Sequence, residues 1–144
     1  MNAYSRFMDI SMQALPEPLT NADQSGFQWC KFAHIEYLLD PEVNALSLEA
    51  QGAFLRLMSY AAIEVPFGSL PDDIQHLIKM VGFKLPDQNN KAFIKAYQHA
   101  QSVVKAVLDA AFILCGDERY YMPLLTNQLT HDVKSNEITT TGQD

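Results

Sequence analysis

The chain has 144 residues, of which 48% are apolar and 19% charged, and a formal net charge of -7. This length and apolar content suit one globular domain with a single core and argue against a disordered chain. No apolar run approaches the ~20 residues that cross a bilayer. Arg6, Asp9 and Gln13 interrupt the stretch that a signal peptide would keep apolar, so a cytosolic protein is expected.

Residues 1–15 place Tyr4, Phe7, Met8, Met12 and Leu15 on about a third of a helical turn, a pattern that suits a short amphipathic helix or a flexible terminus. "PEPLTNADQSG" follows with two prolines and several turn formers and reads as a linker. Residues 27–39 are aromatic-rich; they can begin extended, with Phe27 and Trp29 alternating, and then become helical, with the boundary left open.

"NALSLEAQGAFLRLMSYAAIE" predicts a core helix. Ser47 is a good N-cap, Glu49 sits where the helix dipole favours an anion, and Ala50, Ala53, Phe54, Leu57, Met58 and Ala61 recur at helical spacing. Gly52 costs such a helix up to about 1 kcal/mol relative to alanine, so a close helix crossing is expected there as compensation. "PFGSLPDDIQHLIKMVGF" then breaks at Pro66 to Pro71 and offers Asp72 or Asp73 as a cap. It continues with the stripe Ile74, Leu77, Ile78 and Val81 and stops at Gly82, with Phe83 placed to fold back on the last turn.

After the turn "KLPDQN", with Asp87 or Asn89 as cap, residues 89–112 predict a long two-faced helix. On a wheel of 100° per residue, Lys91, Lys95, Gln98, His99, Ser102 and Lys105 share one side. Ala100, Val104, Val107, Leu108 and Ala111 gather on the other, while Phe93 and Ile94 stray from that stripe. "AFILCGDERYYMPLL" changes period around Gly116, Asp117 and Glu118 and predicts a short β-hairpin. Thr126 to Lys134 suits a last helical turn or two, and the polar tail "SNEITTTGQD" is expected to be disordered. Cys30 and Cys115 fit no C-x-x-C pattern and are expected to be reduced, buried thiols.

Charge is unevenly placed. Residues 1–78 hold ten acids against three bases and residues 109–144 hold six against two, whereas residues 79–108 hold Lys79, Lys84, Lys91, Lys95 and Lys105 against Asp87 alone. An acidic body with one basic segment steers a polyanion to that segment while repelling it at longer range, so weak or assisted binding is expected if the segment meets nucleic acid; the alternative is a solvated or partner-binding face, which solubility alone requires of a long surface helix.

Helix, short extended link after a glycine, helix, turn, long helix and hairpin is the order of a winged helix-turn-helix. "LSLEAQGAFLRLM", "GSLPDDIQHLIKMVGF", "VVKAVLDAAFIL" and "RYYMPLLTNQL" resemble the amino-terminal domain of phage and prophage replication proteins, the replisome-organiser group that includes DnaD-like initiators. The likeness spans about residues 27–132. It implies a mainly α fold with a small β-hairpin, a winged helix-turn-helix with an added amino-terminal helix. The domain would run over 27–134, after a helix and linker in 1–26 and before a tail in 135–144.

The resemblance further implies that the third helix enters the major groove and the hairpin lies beside the phosphates. Lys84, Lys91, Lys95, Gln98, His99, Ser102, Lys105 and Arg119 then become candidate contacts. The lysines would neutralise phosphates, and the Gln98 amide could pair with a base edge. Two features depart from the pattern: the link after Gly82 is longer than the usual three or four residues, and the hairpin tip carries Asp117 and Glu118 with Arg119 as its cation.

The expected activity is non-catalytic, with no cofactor. His34, His76, His99 and His131 lie on different elements without ligand spacing, Asp72 and Asp73 are explained by capping, and there is no glycine-rich phosphate loop or G-x-S-x-G elbow. The function implied is replication of phage or prophage DNA through duplex DNA, a replication partner or both. The alternative is a protein-binding module, such as a phage-encoded inhibitor of a host or defence protein, whose acids Glu36, Glu42 and Asp73 engage a basic partner. The aromatic cluster Tyr4, Phe7, Phe27, Trp29, Phe32 and Tyr37 makes a homodimer a further expectation if the first helix is exposed.

Overall fold

The computed structural model describes residues 14–24, 26 and 30–129. The expected first helix, the Phe27–Trp29 stretch, and the tail fall outside them.

Two short helices lead in, α1 (His34–Leu39) and α2 (Pro41–Asn44). Asp40 separates them because its carboxylate accepts from the backbone N–H groups of Glu42 and Val43, and Pro41 has no N–H to leave unsatisfied at the first helical position. Next comes α3 (Leu48–Ile63), capped by Ser47, whose hydroxyl accepts from Ala50 N at 3.1 Å. Of the stripe that the spacing foretells, Ala50, Ala53, Phe54, Leu57 and Ala61 are buried and Met58 is half-buried against the core. Gln51 ties the lead-in helices to α3, since its amide accepts from the Tyr37 hydroxyl and donates to Val43 O at 2.6 Å.

The chain then forms β1 (Ser69–Pro71) and α4 (Ile74–Val81). Asp73, and not Asp72, supplies the cap by accepting from His76 N, and Gly82 ends the helix in the left-handed region at φ 93°. The Arg56 guanidinium reaches across to donate to Met80 O at 3.2 Å, satisfying a carbonyl that the end of α4 leaves free.

The long helix α5 (Phe93–Ala111) starts later than the expected Asp87 or Asn89 cap. Asn90 N donates to Asp87 O, and the Asn90 side chain accepts from Ala92 N, so residues 87–92 are held as turns before the helix begins. From Phe93 it runs unbroken. Ala100, Val103, Val104, Val107 and Leu108 are buried against α3 and α4, while Ile94 is 67% exposed. Phe93, the other residue off the apolar stripe, stacks on Tyr97.

Strands β2 (Ile113–Leu114) and β3 (Arg119–Tyr121) form the expected hairpin, and β1 adds to its open edge. The sheet is antiparallel with order β1-β3-β2, pairing Ser69 with Tyr121 and Ile113 with Tyr121 on either side. The last helix, α6, occupies residues 123–129, beginning a few residues before the expected Thr126. The architecture is thus mainly helical with one small three-stranded antiparallel sheet.

Two glycines show what local pattern cannot. Gly68, at φ 78°, donates to Ala61 O and accepts from Met122 N, and a Cβ there would stand 2.8 Å from the Thr126 methyl. Gly52, the expected site of a close crossing, is exposed, and an added Cβ would meet nothing within 4 Å. Among the described residues no helix crosses there. The linker is also more constrained than its composition suggests: Gly116 N donates to Pro16 O, Phe67 N donates to Ala22 O, and residues 16–22 are thereby stitched across the hairpin and the β1 approach.

Candidate nucleic-acid interface

Packing against α3 and α4 leaves one face of α5 in solvent. Lys95, Gln98, Ser102 and Lys105 are exposed along it, with Ile94 beside them and Asp109 as the first acid, in the last turns of the helix. The helical period puts them there because the residues between them fill the core. The Ser102 hydroxyl donates back to His99 O at 2.7 Å, which leaves its oxygen as an outward acceptor.

Lys91 lies in the turn before α5, not on the wheel that the sequence pattern suggests, because the helix begins at Phe93. It remains exposed, at the amino-terminal end of the helix, where the backbone dipole is positive. Lys84 is exposed just beyond Gly82. Lys79, on the last turn of α4, is also exposed and extends the same basic segment; its charge complements the carboxyl end of α4 as well, which is why pattern alone does not single it out.

His99 is exposed but already engaged. Its Nε2 pairs with Glu49 at the start of α3, and Phe83 presents a ring edge to it with centroids 6.4 Å apart. The pair joins residues 50 positions apart and is a solvent-screened contact of small energetic value. It brings a carboxylate to one flank of the basic face.

Arg119 is directed inward. Its Nε donates to the buried Ser69 hydroxyl at 2.8 Å and its Nη2 to Glu64 at 3.3 Å, while Ser69 itself donates to Pro66 O. The hairpin tip therefore presents no free cation from this residue. The acid at the tip is structural, since Asp117 accepts from the Tyr121 hydroxyl at 2.6 Å and from Arg119 N. Burial, then the bond to Asp117 and its charge, hold the Tyr121 phenol far above its usual range. Cys115, buried beside the same turn, is raised by burial and by Asp117, while Cys30 is exposed instead of buried as expected.

A cleft of about 300 Å³ opens between the lead-in helices, the end of α5 and α6. Glu36, Asp40 and Glu42 line it with Tyr37, Phe54 and Asn127. Among the described residues no group of three His, Cys, Asp or Glu side chains could hold a metal ion, and no helix is long and apolar enough to cross a membrane. Comparison with protein-family models, curated proteins and solved structures finds no match.

Proposed function

We propose that the protein is a non-catalytic winged helix-turn-helix domain that binds duplex DNA weakly through α5 and serves the replication of a phage or prophage. One observation carries the reading: a single outward helix face bears Lys95, Gln98, Ser102 and Lys105 with no acid before Asp109 on the helix, and Lys91 in the preceding turn and Lys84 beyond Gly82 are exposed as well, in a chain whose net charge is -7. The strand order β1-β3-β2 around α4 and α5 supports the fold assignment, since a winged helix closes its hairpin on a short strand placed before the second helix. The replication role rests on the sequence resemblance to replisome-organiser domains. The acidic remainder of the surface explains why binding is weak, because it repels the phosphates that the lysines attract.

The test is fluorescence anisotropy with a labelled random duplex at low salt. The Lys91→Glu, Lys95→Glu double variant should abolish binding, and the single Lys105→Gln variant should reduce the log-affinity versus log-salt slope by about one. Absence of wild-type binding at low salt, or indifference to these changes, would reject the reading. The acidic cleft favours a second reading, docking of a basic protein segment. Glu36→Gln with Glu42→Gln would then weaken capture of a Lys/Arg-rich peptide while leaving any duplex affinity intact.

A further inference from the structure

The outward face of α3 is unusually apolar for a helix that meets solvent. Leu48 is 91% exposed, Leu55 48% and Ile63 55%. Between them, on the same side at helical spacing, stand two small residues, Gly52 and Ser59, both exposed. A Cβ on Gly52 would find open space, and a hollow of about 290 Å³ lined by Leu55, Arg56, Ser59, Tyr60 and Ile63 lies at Ser59. Large and small residues thus alternate along one ridge, with room above each small one.

We propose that this face docks on the same face of a second copy, antiparallel and about a two-fold axis. One register matches two of the three large residues to recesses: Leu55 of each copy lies over Gly52 of the other, and Leu48 of each enters the hollow at Ser59 of the other, while Ile63 stands beyond the matched stretch. Because the spacing from Leu48 to Gly52 equals that from Leu55 to Ser59, both matches occur in the same register, and the symmetry makes each contact twice. Two-fold pairing needs a partner that carries the same ridge. A second copy has it by construction.

Charge agrees with the geometry. Glu49 and Arg56 occupy one flank of the ridge, and in this register the Glu49 carboxylate of each copy, whose Oε1 pairs with His99 of its own chain while Oε2 is left to accept, comes within about two residues along the axis of the other copy's Arg56, roughly 3 Å of rise. Arg56 uses one guanidinium nitrogen on Met80 O, and an arginine has five N–H donors to offer. Area sets the strength. The matched stretch, Leu48 to Ser59, covers about 18 Å of helix, so the contact falls short of the ~1,200 Å² typical of stable complexes. Association is therefore weak and concentration-dependent. This ridge lies on α3 and meets the flank of the basic face of α5 at Glu49, which pairs with His99; the proposal does not rest on the DNA-binding reading.

Sedimentation velocity on the full chain, from about 10 to 500 µM, reads it directly. The wild type should move from monomer to dimer over that range. Leu55→Asp places a charge on the recess and Gly52→Leu fills it; each should weaken association at least tenfold. Both positions are solvent-facing, and leucine is a better helix former than glycine, so both variants should keep the wild-type circular dichroism spectrum. A wild type that stays monomeric throughout, or a dimer that both variants form as readily, would overturn the proposal.

Discussion

Replacing Gly52 by alanine tests the packing of α3 in one step. Gly52 is the fifth residue of a 16-residue helix, its φ is not positive, it is exposed, and an added methyl meets nothing within 4 Å. Nothing in the fold therefore offsets the conformational freedom that glycine retains in the unfolded chain. The full propensity difference of about 0.8–1.0 kcal/mol should appear as added stability. For the ordered stretch of roughly 100 residues, an unfolding entropy of about 2.1 cal/mol/K per residue turns this gain into a rise in Tm of about 4–5 °C. The measurement is urea unfolding followed by circular dichroism, at micromolar protein so that the monomer is observed. With a urea slope of about 1.5 kcal/mol/M the midpoint should rise by roughly 0.6 M. An unchanged or lower midpoint would show that the backbone at Gly52 is approached closely in the monomer, and the placement of α3 would be refuted.

The opposite outcome is expected at Gly68→Ala, where a left-handed backbone and a 2.8 Å approach to Thr126 combine; stability should fall by about 2–4 kcal/mol in the same urea assay. Arg119→Leu removes the donors held by Ser69 and Glu64 and should cost about 1.5–3 kcal/mol, nearly all of it through the charge-assisted bond to the buried Ser69, since the partly exposed Glu64 pair adds less than about 1 kcal/mol. Duplex affinity per folded molecule should be unchanged by that substitution, and a loss comparable to that of the lysine variants would place Arg119 at the phosphates after all. Tyr121 is held protonated by burial and by Asp117, so its contribution to stability is complete below the unfolded phenol value of about 10 and is lost as pH rises toward the higher folded value. Cys115 acts in the same direction from a lower pH, starting near the unfolded thiol value of about 8.5. Tm should therefore decline between pH 9 and 11, about the range set by those two groups, and the decline should be shallower in Tyr121→Phe; equal slopes would dissociate Tyr121 from alkaline unfolding.

The basic face illustrates how the sequence can be right about a surface and wrong about one of its members. Lys95, Gln98, Ser102 and Lys105 are outward because the apolar residues between them repeat with the helical period, and that period is local information. Lys91 departs from the wheel because Asn90 caps a turn and not the helix, a competition between neighbouring polar side chains that spacing does not decide. His99 and Arg119 have partners 50 to 55 positions away in Glu49, Ser69 and Glu64. No reading of either neighbourhood foretells those bonds.

The sequence by itself determined the cores of α3 and α4 with their ends, since Ser47, an aspartate before Ile74, and Gly82 act on backbone groups within one helical turn. It also determined the hairpin, through a change of apolar period at a turn of suitable residues. Tertiary structure decided the rest: which glycine is crowded, how the linker crosses the hairpin, that β1 pairs with β3, and that a hairpin arginine points into the molecule. Those outcomes depend on groups far apart in the chain reaching each other only after the helices have packed, and the need to satisfy each buried donor and acceptor selects among arrangements that local propensity leaves equivalent.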